Sequence, residues 1–199
     1  MSAAPPLIDS HCHIVFRQFD DDLDVIAARW REAGVQSLLH ACVEPSEIPG
    51  IRALADRFPE LRYGVGVHPL DTEHWQADTP EVLREAAGAD SRVVAIGELG
   101  LDLFRATNLD EQLAMLVPQL DLAEELGLPV IIHCRDAAEP MLALLEQRRS
   151  ALWSQERGRW PPSDQVRECQ DASGREHHDL YSCYNGVQTC ADRHRWTMG

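Results

Sequence analysis

Two histidines separated by one residue, His11 and His13, occur in the apolar stretch LIDSHCHIV near the start of the sequence. Alternate side chains of a β-strand share a face, so both imidazoles would point one way and Cys12 the other. Neutral imidazoles are common metal ligands. Strand histidines that hydrogen-bond to neighbours would have the same spacing, so the pair indicates a metal site only if other ligands join it.

Three further side chains with suitable chemistry follow apolar runs elsewhere in the chain. Glu98 ends the run VVAIG, where a carboxylate is costly to bury unless a cation pairs with it, and where it could bridge two metals. His133 ends PVIIH and offers a third imidazole, and His68 ends GVGVH, from where it could contact a substrate. The alternatives are an exposed glutamate at a strand exit and an ordinary loop histidine.

Arg135 follows in the sequence HCRDA, at a position where its planar guanidinium could hold a phosphate or a carboxylate. A salt bridge to Asp136 or Glu139 is the alternative interpretation. Both interpretations stay open on the sequence alone.

Other reactive side chains near these motifs have simpler interpretations. We expect Cys12 and Cys134 to be core residues, because each would lie on the strand face opposite to a candidate ligand. His40, within the run SLLHAC, is expected to be a core histidine whose hydrogen bonds are satisfied. Asp102 would either support a metal ligand from outside or stabilise a turn.

The candidate ligands offer nitrogen and oxygen atoms and no cysteine thiolate. Such a set suits Zn²⁺, Mn²⁺ or Mg²⁺. Two such ions about 4 Å apart activate a water and stabilise the leaving oxygen in phosphoester hydrolysis. We therefore expect two divalent metal ions, the first of them bound by the HCH motif.

The elements that must position these residues alternate regularly across residues 1–149. Short apolar runs and longer amphipathic stretches follow one another, which predicts an α/β fold with a parallel sheet and crossover helices. The candidate residues end successive strands, and such ends converge at the mouth of a (β/α)₈ barrel of TIM type but spread along the edge of an open sheet. The predicted strands are 7–13, 35–43, 62–68, 93–98 and 130–133, and the predicted helices are 20–33, 46–57, 79–88, 109–126 and 136–148.

The stretch 109–126 has the clearest helical pattern. Asn108 can cap its start, Gly127 can end it, and Pro118 should kink it. We therefore expect one long helix between the fourth and fifth strands.

The composition changes after residue 149, and the last 50 residues contain neither isoleucine nor phenylalanine. A barrel of eight units typically needs about 250 residues. We therefore predict an incomplete barrel of about five to six β/α units in residues 1–149, followed by a divergent, poorly patterned segment in residues 150–199.

The overall charge limits how the protein could bind a polyanionic substrate. The net charge is −15 and every basic residue is arginine, so metal ions would have to supply the local attraction for a polyanionic substrate.

No apolar stretch approaches the roughly 20 residues that span a bilayer, and the N-terminus lacks the pattern of a signal peptide. Six scattered cysteines without a CxxC pair favour reduced thiols, and we expect a cytoplasmic protein.

Four stretches, IDSHCH, GVGVHPLD, AIGELGLDLF and LGLPVIIHCRDA, together resemble the TatD family of metal-dependent deoxyribonucleases, within the amidohydrolase-like TIM barrels. They follow one another in the family's order and spacing over about residues 7–148. The resemblance implies a hydrolase that cleaves DNA phosphodiester bonds with two metal ions, a 3′→5′ exonuclease in some members. By motif, His11 and His13 would bind one metal, catalytic Glu98 would bridge both, and His133 would bind the second; His68 and Arg135 are the candidates for contact with DNA.

The resemblance fails toward the C-terminus. The stretch SCYNG (182–186) aligns with the family motif HCFSG, so Ser182 stands where a histidine is expected, and a late aspartate ligand has no counterpart. A truncated, catalytically inactive family member is therefore one alternative. A metal-dependent hydrolase of another ester or amide bond is a second, because the same metal ligands serve those reactions.

Overall fold

Strands and helices alternate along residues 7–155, which are the residues that the computed structural model describes. Each apolar run of the sequence forms a strand, and each amphipathic stretch that follows forms a helix. Three short 3₁₀ turns, Arg17–Phe19, Pro45–Glu47 and Thr72–His74, lie in the connections of this part of the chain. The elements are β1 (Leu7–Cys12), α1 (Leu23–Glu32), β2 (Val35–His40), α2 (Ile48–Arg57), β3 (Leu61–Val65), α3 (Thr79–Ala89), β4 (Val93–Asp102), α4 (Leu109–Leu126), β5 (Val130–Arg135) and α5 (Ala138–Gln155).

The five strands form one sheet in the order β1-β2-β3-β4-β5, and every neighbouring pair is parallel. The sheet curls into a half-barrel with the helices in the crossovers. This confirms the predicted α/β fold of incomplete TIM-barrel type. Because all strands run the same way, their carboxyl ends lie along one rim, where the candidate side chains gather.

The two faces of the sheet bury different side chains. Leu38, Ile96 and Ile132 belong to the main core together with apolar side chains of the helices. Their strand neighbours Ala95 and Ile131 face the other way and form a small second cluster. This alternation is the one that a strand buried on both faces requires.

The strand ends differ from their predicted positions. His13 follows β1 by one residue and His68 follows β3 by three, so both lie on loops just beyond the strands. Glu98 lies inside β4, which continues to Asp102, and the expectation that Glu98 ends its strand is wrong. The pairing of β4 with β5 shifts its register between Ile96 and Leu99, so Glu98 lies in an irregular stretch of the ladder.

Helix α4 follows its predicted bounds but not its predicted cap. Gly127 ends the helix in the left-handed conformation, with φ of 64°, as expected. The Asn108 side chain does not cap the backbone, because its amide binds the side chains of Glu111 and Gln112 instead. The helix continues past Pro118, and the kink there stays a prediction.

Among residues 7–155, no helix is both long and apolar enough to cross a membrane. The segment predicted to diverge, 150–199, lies outside the described residues apart from the end of α5. Ser182 and the motif SCYNG therefore lie outside them too, and their interpretation stays a prediction.

Candidate metal centre

Glu98 lies at the centre of the candidate site and is 2% exposed. Its Oε2 is 3.3 Å from Nε2 of His11 and 3.3 Å from Nε2 of His13. Its Oε1 is 3.1 Å from Nδ1 of His133. The two carboxylate oxygens therefore face two different sets of imidazoles, which is the arrangement of a bridging ligand.

The first set comes from the end of β1. The Nε2 atoms of His11 and His13 lie 3.0 Å apart, so both rings point their edges at one place. The His13 ring stacks on Phe16 with centroids 5.2 Å apart, which fixes its plane. Asp9, just before the pair, accepts the backbone amide of His11 at 3.1 Å and so shapes the chain at this point.

The second set joins the ends of β3 and β5. The rings of His68 and His133 meet edge to face with centroids 4.4 Å apart. His68 accepts the backbone amide of Leu70 on Nδ1 at 3.2 Å, which leaves the hydrogen of the neutral ring on Nε2.

The donor atoms of both sets converge closely enough to surround a cation. In the described part of the chain, two groups of three side chains each bring ligand atoms within 4.8 Å of one another: His11, His13 and Glu98, and His68, Glu98 and His133. Imidazole nitrogens and a carboxylate are ligands that zinc and manganese accept. The residues present therefore fit two neighbouring divalent ions that share Glu98.

The charges in the site are strongly coupled. Burial disfavours the ionised form of Glu98, but the hydrogen bonds from His11, His13 and His133 outweigh it and hold the pKa well below its usual value. Burial likewise disfavours the charged form of His133, yet its contacts with Glu98 and Asp102 raise the pKa of this imidazole. Desolvation lowers the pKa of His68 to about 4, so its ring is neutral near pH 7.

Asp102 stabilises a turn, as one of its two predicted alternatives states, and it also contacts His133; support of a metal ligand stays a prediction. Its Oδ1 accepts the backbone amides of Phe104 at 3.0 Å and Arg105 at 2.8 Å, which closes the turn after β4. Its Oδ2 lies 3.1 Å from Nε2 of His133. The carboxylate thus joins the turn to a candidate ligand.

Arg135 stacks its guanidinium over the ring of Phe104, with 4.1 Å between the central carbon and the ring centroid. The alternative of a salt bridge to Asp136 or Glu139 is wrong for the described residues, among which no carboxylate pairs with Arg135. Phe104 is 60% exposed, so the stacked pair lies at the surface beside the site.

The other expectations near the site hold in part. Cys134 is buried and Cys12 packs against the core, as expected, and burial raises the pKa of the Cys12 thiol far above the range of a nucleophile. His40 is fully buried, and its Nδ1 accepts the amide of Ile14 at 3.1 Å. Its Nε2 has no partner among the described residues, so the expectation of a fully satisfied histidine is wrong for that nitrogen.

Two buried glutamines on α4 support the site and were missed from the sequence. Gln112 binds both the amide and the carbonyl of Asp102, at 2.8 and 3.0 Å. Gln119 binds both the amide and the carbonyl of Val67, at 2.8 and 3.2 Å, next to His68. The available signal was a polar side chain recurring seven residues apart on the buried stripe of a helix.

The known proteins to which the chain is similar belong to one family. A family profile described as "TatD related DNase" matches residues 8–155. The chain is 41% identical over 141 residues to the 3′-5′ ssDNA/RNA exonuclease TatD of Escherichia fergusonii, covering 70% of this chain and 54% of that protein. The protein of the same name from Escherichia coli K12 is 39% identical over 141 residues. The chain spans about half the length of the curated relatives it matches.

Two solved structures that superpose on the chain are also TatD proteins. The crystal structure of YJJV, a TatD homolog from Escherichia coli, superposes with a TM-score of 0.65 at 33% identity, covering 70% of this chain and 55% of that one. A hydrolase TatD family protein from Entamoeba histolytica superposes with a TM-score of 0.67, covering 75% of this chain and 56% of that one. The latter pair is only 21% identical, and its likeness therefore concerns the fold.

Proposed function

The chain belongs to the TatD family of DNases, and from this premise we propose that it hydrolyses phosphodiester bonds of single-stranded DNA with two divalent metal ions. The observation that carries the proposal is the position of Glu98. One of its oxygens faces His11 and His13 at 3.3 Å, and the other faces His133 at 3.1 Å.

His11, His13 and Oε2 of Glu98 would hold the first ion, and His133 with Oε1 of Glu98 would hold the second. Two divalent ions held by these residues would lower the pKa of a bound water and stabilise the leaving oxygen of a phosphodiester. Glu98 is the residue on which both sites depend, because it contributes one oxygen to each. Its low pKa keeps it ionised and ready to bind cations across the ordinary pH range.

His68 suits a role as a donor to the substrate. Since its Nδ1 accepts the Leu70 amide, the hydrogen of the neutral ring lies on Nε2 and can be donated to a phosphate oxygen. The ring is in contact with His133, so such an oxygen would lie next to a residue that would hold the second ion. His68 belongs to the second ligand group by distance, but with Nδ1 accepting the Leu70 amide and the hydrogen on Nε2 its ring has no free lone pair for a metal, which favours a substrate contact.

Arg135 suits the binding of a phosphate further along the strand. Its guanidinium rests on Phe104 and has no carboxylate partner in the described residues. A stacked guanidinium keeps its N–H groups directed outward along its edge, where they can hold a phosphate. In a chain with a net charge of −15, such a cation beside the metal centre opposes the general repulsion of a polyanion.

The test is cleavage of a fluorescent single-stranded oligonucleotide by the full chain, with Mg²⁺, Mn²⁺ or Zn²⁺ and with chelator, alongside the Glu98→Gln variant. Loss of the bridging charge should reduce cleavage at least about 100-fold, the size of effect expected when a group that stabilises developing charge is removed. The matched control is Glu85→Gln on the exposed face of α3, which should keep full activity.

Equal cleavage by Glu98→Gln would refute the assignment of Glu98. Absence of cleavage in every metal would refute the proposed reaction for this chain. In that case small ester and amide substrates decide between another metal-dependent hydrolysis and a catalytically inactive family member.

A further inference from the structure

We propose that Asp102 is a positioning residue: it accepts the Nε2 hydrogen of His133 and so directs Nδ1 of that ring to the second metal ion. The inference rests on the proposed two-metal function. It names a residue that acts through His133 and not on the substrate.

The contact is buried and well placed. Asp102 is 1% exposed, and its Oδ2 lies 3.1 Å from Nε2 of His133. The opposite ring nitrogen, Nδ1, lies 3.1 Å from Oε1 of Glu98. The imidazole is therefore held between two carboxylates, that of Asp102 at the end of β4 and that of Glu98 in the candidate metal centre.

Hydrogen bonds to both its side chain and its backbone fix Asp102 in place. Its Oδ1 accepts the amides of Phe104 and Arg105. Gln112, which is fully buried, binds the backbone amide and carbonyl of Asp102 at 2.8 and 3.0 Å. A carboxylate fixed in this way cannot turn away, and Oδ2 stays directed at His133.

The consequence concerns the tautomer of the ring. An ionised carboxylate only accepts hydrogen bonds, so Nε2 of His133 must carry a hydrogen to satisfy Asp102. A neutral imidazole with its hydrogen on Nε2 has its lone pair on Nδ1, the atom that faces Glu98. Carboxylates that orient a metal-binding histidine from its far nitrogen commonly contribute 10–100-fold to metal affinity.

Turn formation alone would not require this arrangement. The turn uses Oδ1, while within residues 7–155 Oδ2 contacts His133 alone. The Asp102→Asn variant separates the two roles. Its amide oxygen can still accept the turn amides, but its NH₂ group then meets the Nε2 hydrogen of His133, donor against donor.

The experiment is calorimetric titration of the metal-free full chain with Zn²⁺, comparing wild type, Asp102→Asn and the exposed control Asp110→Asn on α4. We expect Asp102→Asn to weaken one of the two zinc equivalents by about 10–100-fold and to leave the other within a few-fold. Asp110→Asn should match wild type at both equivalents. Thermal unfolding of each variant reports whether the fold is intact.

A spectroscopic readout makes the assignment specific. With zinc bound, ¹⁵N-detected spectra of wild type should show His133 protonated on Nε2 and bound through Nδ1. The opposite pattern would overturn the inference even if Asp102→Asn failed to fold. Unchanged affinity at both equivalents in a folded Asp102→Asn would also overturn it. Failure of wild type to bind zinc at all would instead remove the proposed metal site, and the inference with it.

Discussion

Gly100 of strand β4 pairs with His133 of strand β5, and the two backbones leave no room there for a side chain. Its φ of +148° is one that residues with a side chain rarely adopt. A Cβ at this position would overlap the carbonyl oxygen of His133 and lie 2.8 Å from its carbonyl carbon and 2.9 Å from its amide nitrogen. All three atoms are backbone, so no side-chain rotation can relieve the overlap.

The cost of Gly100→Ala follows from these two terms. Holding a side-chain-bearing residue in a sparsely populated backbone region costs about 1–3 kcal/mol, and forcing atoms into a packed site adds about 1–3 kcal/mol. Reduced freedom of the unfolded chain offsets about 0.4–1 kcal/mol. We expect a net loss of about 1–6 kcal/mol, a large part of the roughly 5–15 kcal/mol that stabilises an ordinary domain.

Two other glycines separate the terms. Gly34 has a φ of +85° but nothing within 4 Å of a built Cβ, so Gly34→Ala should lose only the backbone cost, about 1–2 kcal/mol. Gly88 lies within α3 with open space around its Cβ, and Gly88→Ala should gain about 0.5–1 kcal/mol. The three substitutions add the same methyl group and differ only in their surroundings.

The assay is urea unfolding of the full chain, followed by far-UV circular dichroism and by tryptophan fluorescence. The expected order of unfolding free energy is Gly88→Ala, wild type, Gly34→Ala and Gly100→Ala, from most to least stable. If Gly100→Ala were no less stable than Gly34→Ala, the close approach of β4 to the His133 backbone would be refuted. The position of Glu98 relative to His133 would then also need revision.

Two further predictions concern titration. The Arg92 guanidinium, with the Tyr63 hydroxyl, holds the pKa of Asp90 well below its usual range. The ionised Asp90 therefore stabilises the fold above about pH 4, and this stabilisation is lost as the pH falls below that value. The stability difference between wild type and Asp90→Asn in urea unfolding should therefore shrink below pH 4, and a difference independent of pH would contradict the pairing. Burial lowers the pKa of His40 to about 3, whereas a histidine in the unfolded chain has a pKa near 6.5. As the pH falls from about 6.5 to about 3, His40 therefore lowers the free energy of unfolding by about 1.4 kcal/mol per pH unit. Its ring proton signal in NMR should stay constant from pH 8 to pH 4, and a midpoint near 6.5 would show that the ring is not buried.

The order and type of the elements could be predicted because each apolar run is long enough to cross the core and each helix has one apolar side. The end of β4 could not. Gly100 and Asp102 are residues typical of turns, and a sequence pattern therefore ends the strand before them. The strand continues because Gly100 pairs with His133 and Leu101 is fully buried, which are contacts with β5 that no local pattern contains.

In the site, too, features set by local spacing could be predicted and contacts between distant segments could not. The spacing of His11 and His13 predicts a shared direction, and both rings do face Glu98. The partner of Arg135 was not predictable, since Asp136 and Glu139 are near in sequence whereas Phe104 comes close only when β4 and β5 pair. Asn108 has the sequence of a helix cap, but neighbouring polar side chains compete for its amide.

Helix α4 positions the second half of the site in a way that the sheet alone does not. Parallel strands leave the amides and carbonyls of their last residues without ladder partners, and unpaired buried backbone groups are costly. Gln119 binds both backbone groups of Val67 beyond β3, and Gln112 binds both of Asp102 at the end of β4. The two glutamines are seven residues apart, two helical turns, so one rigid helix sets the distance between the residue preceding His68 and the carboxylate that holds His133. The geometry of the second group of candidate ligands therefore depends on buried polar contacts of a helix that supplies none of them.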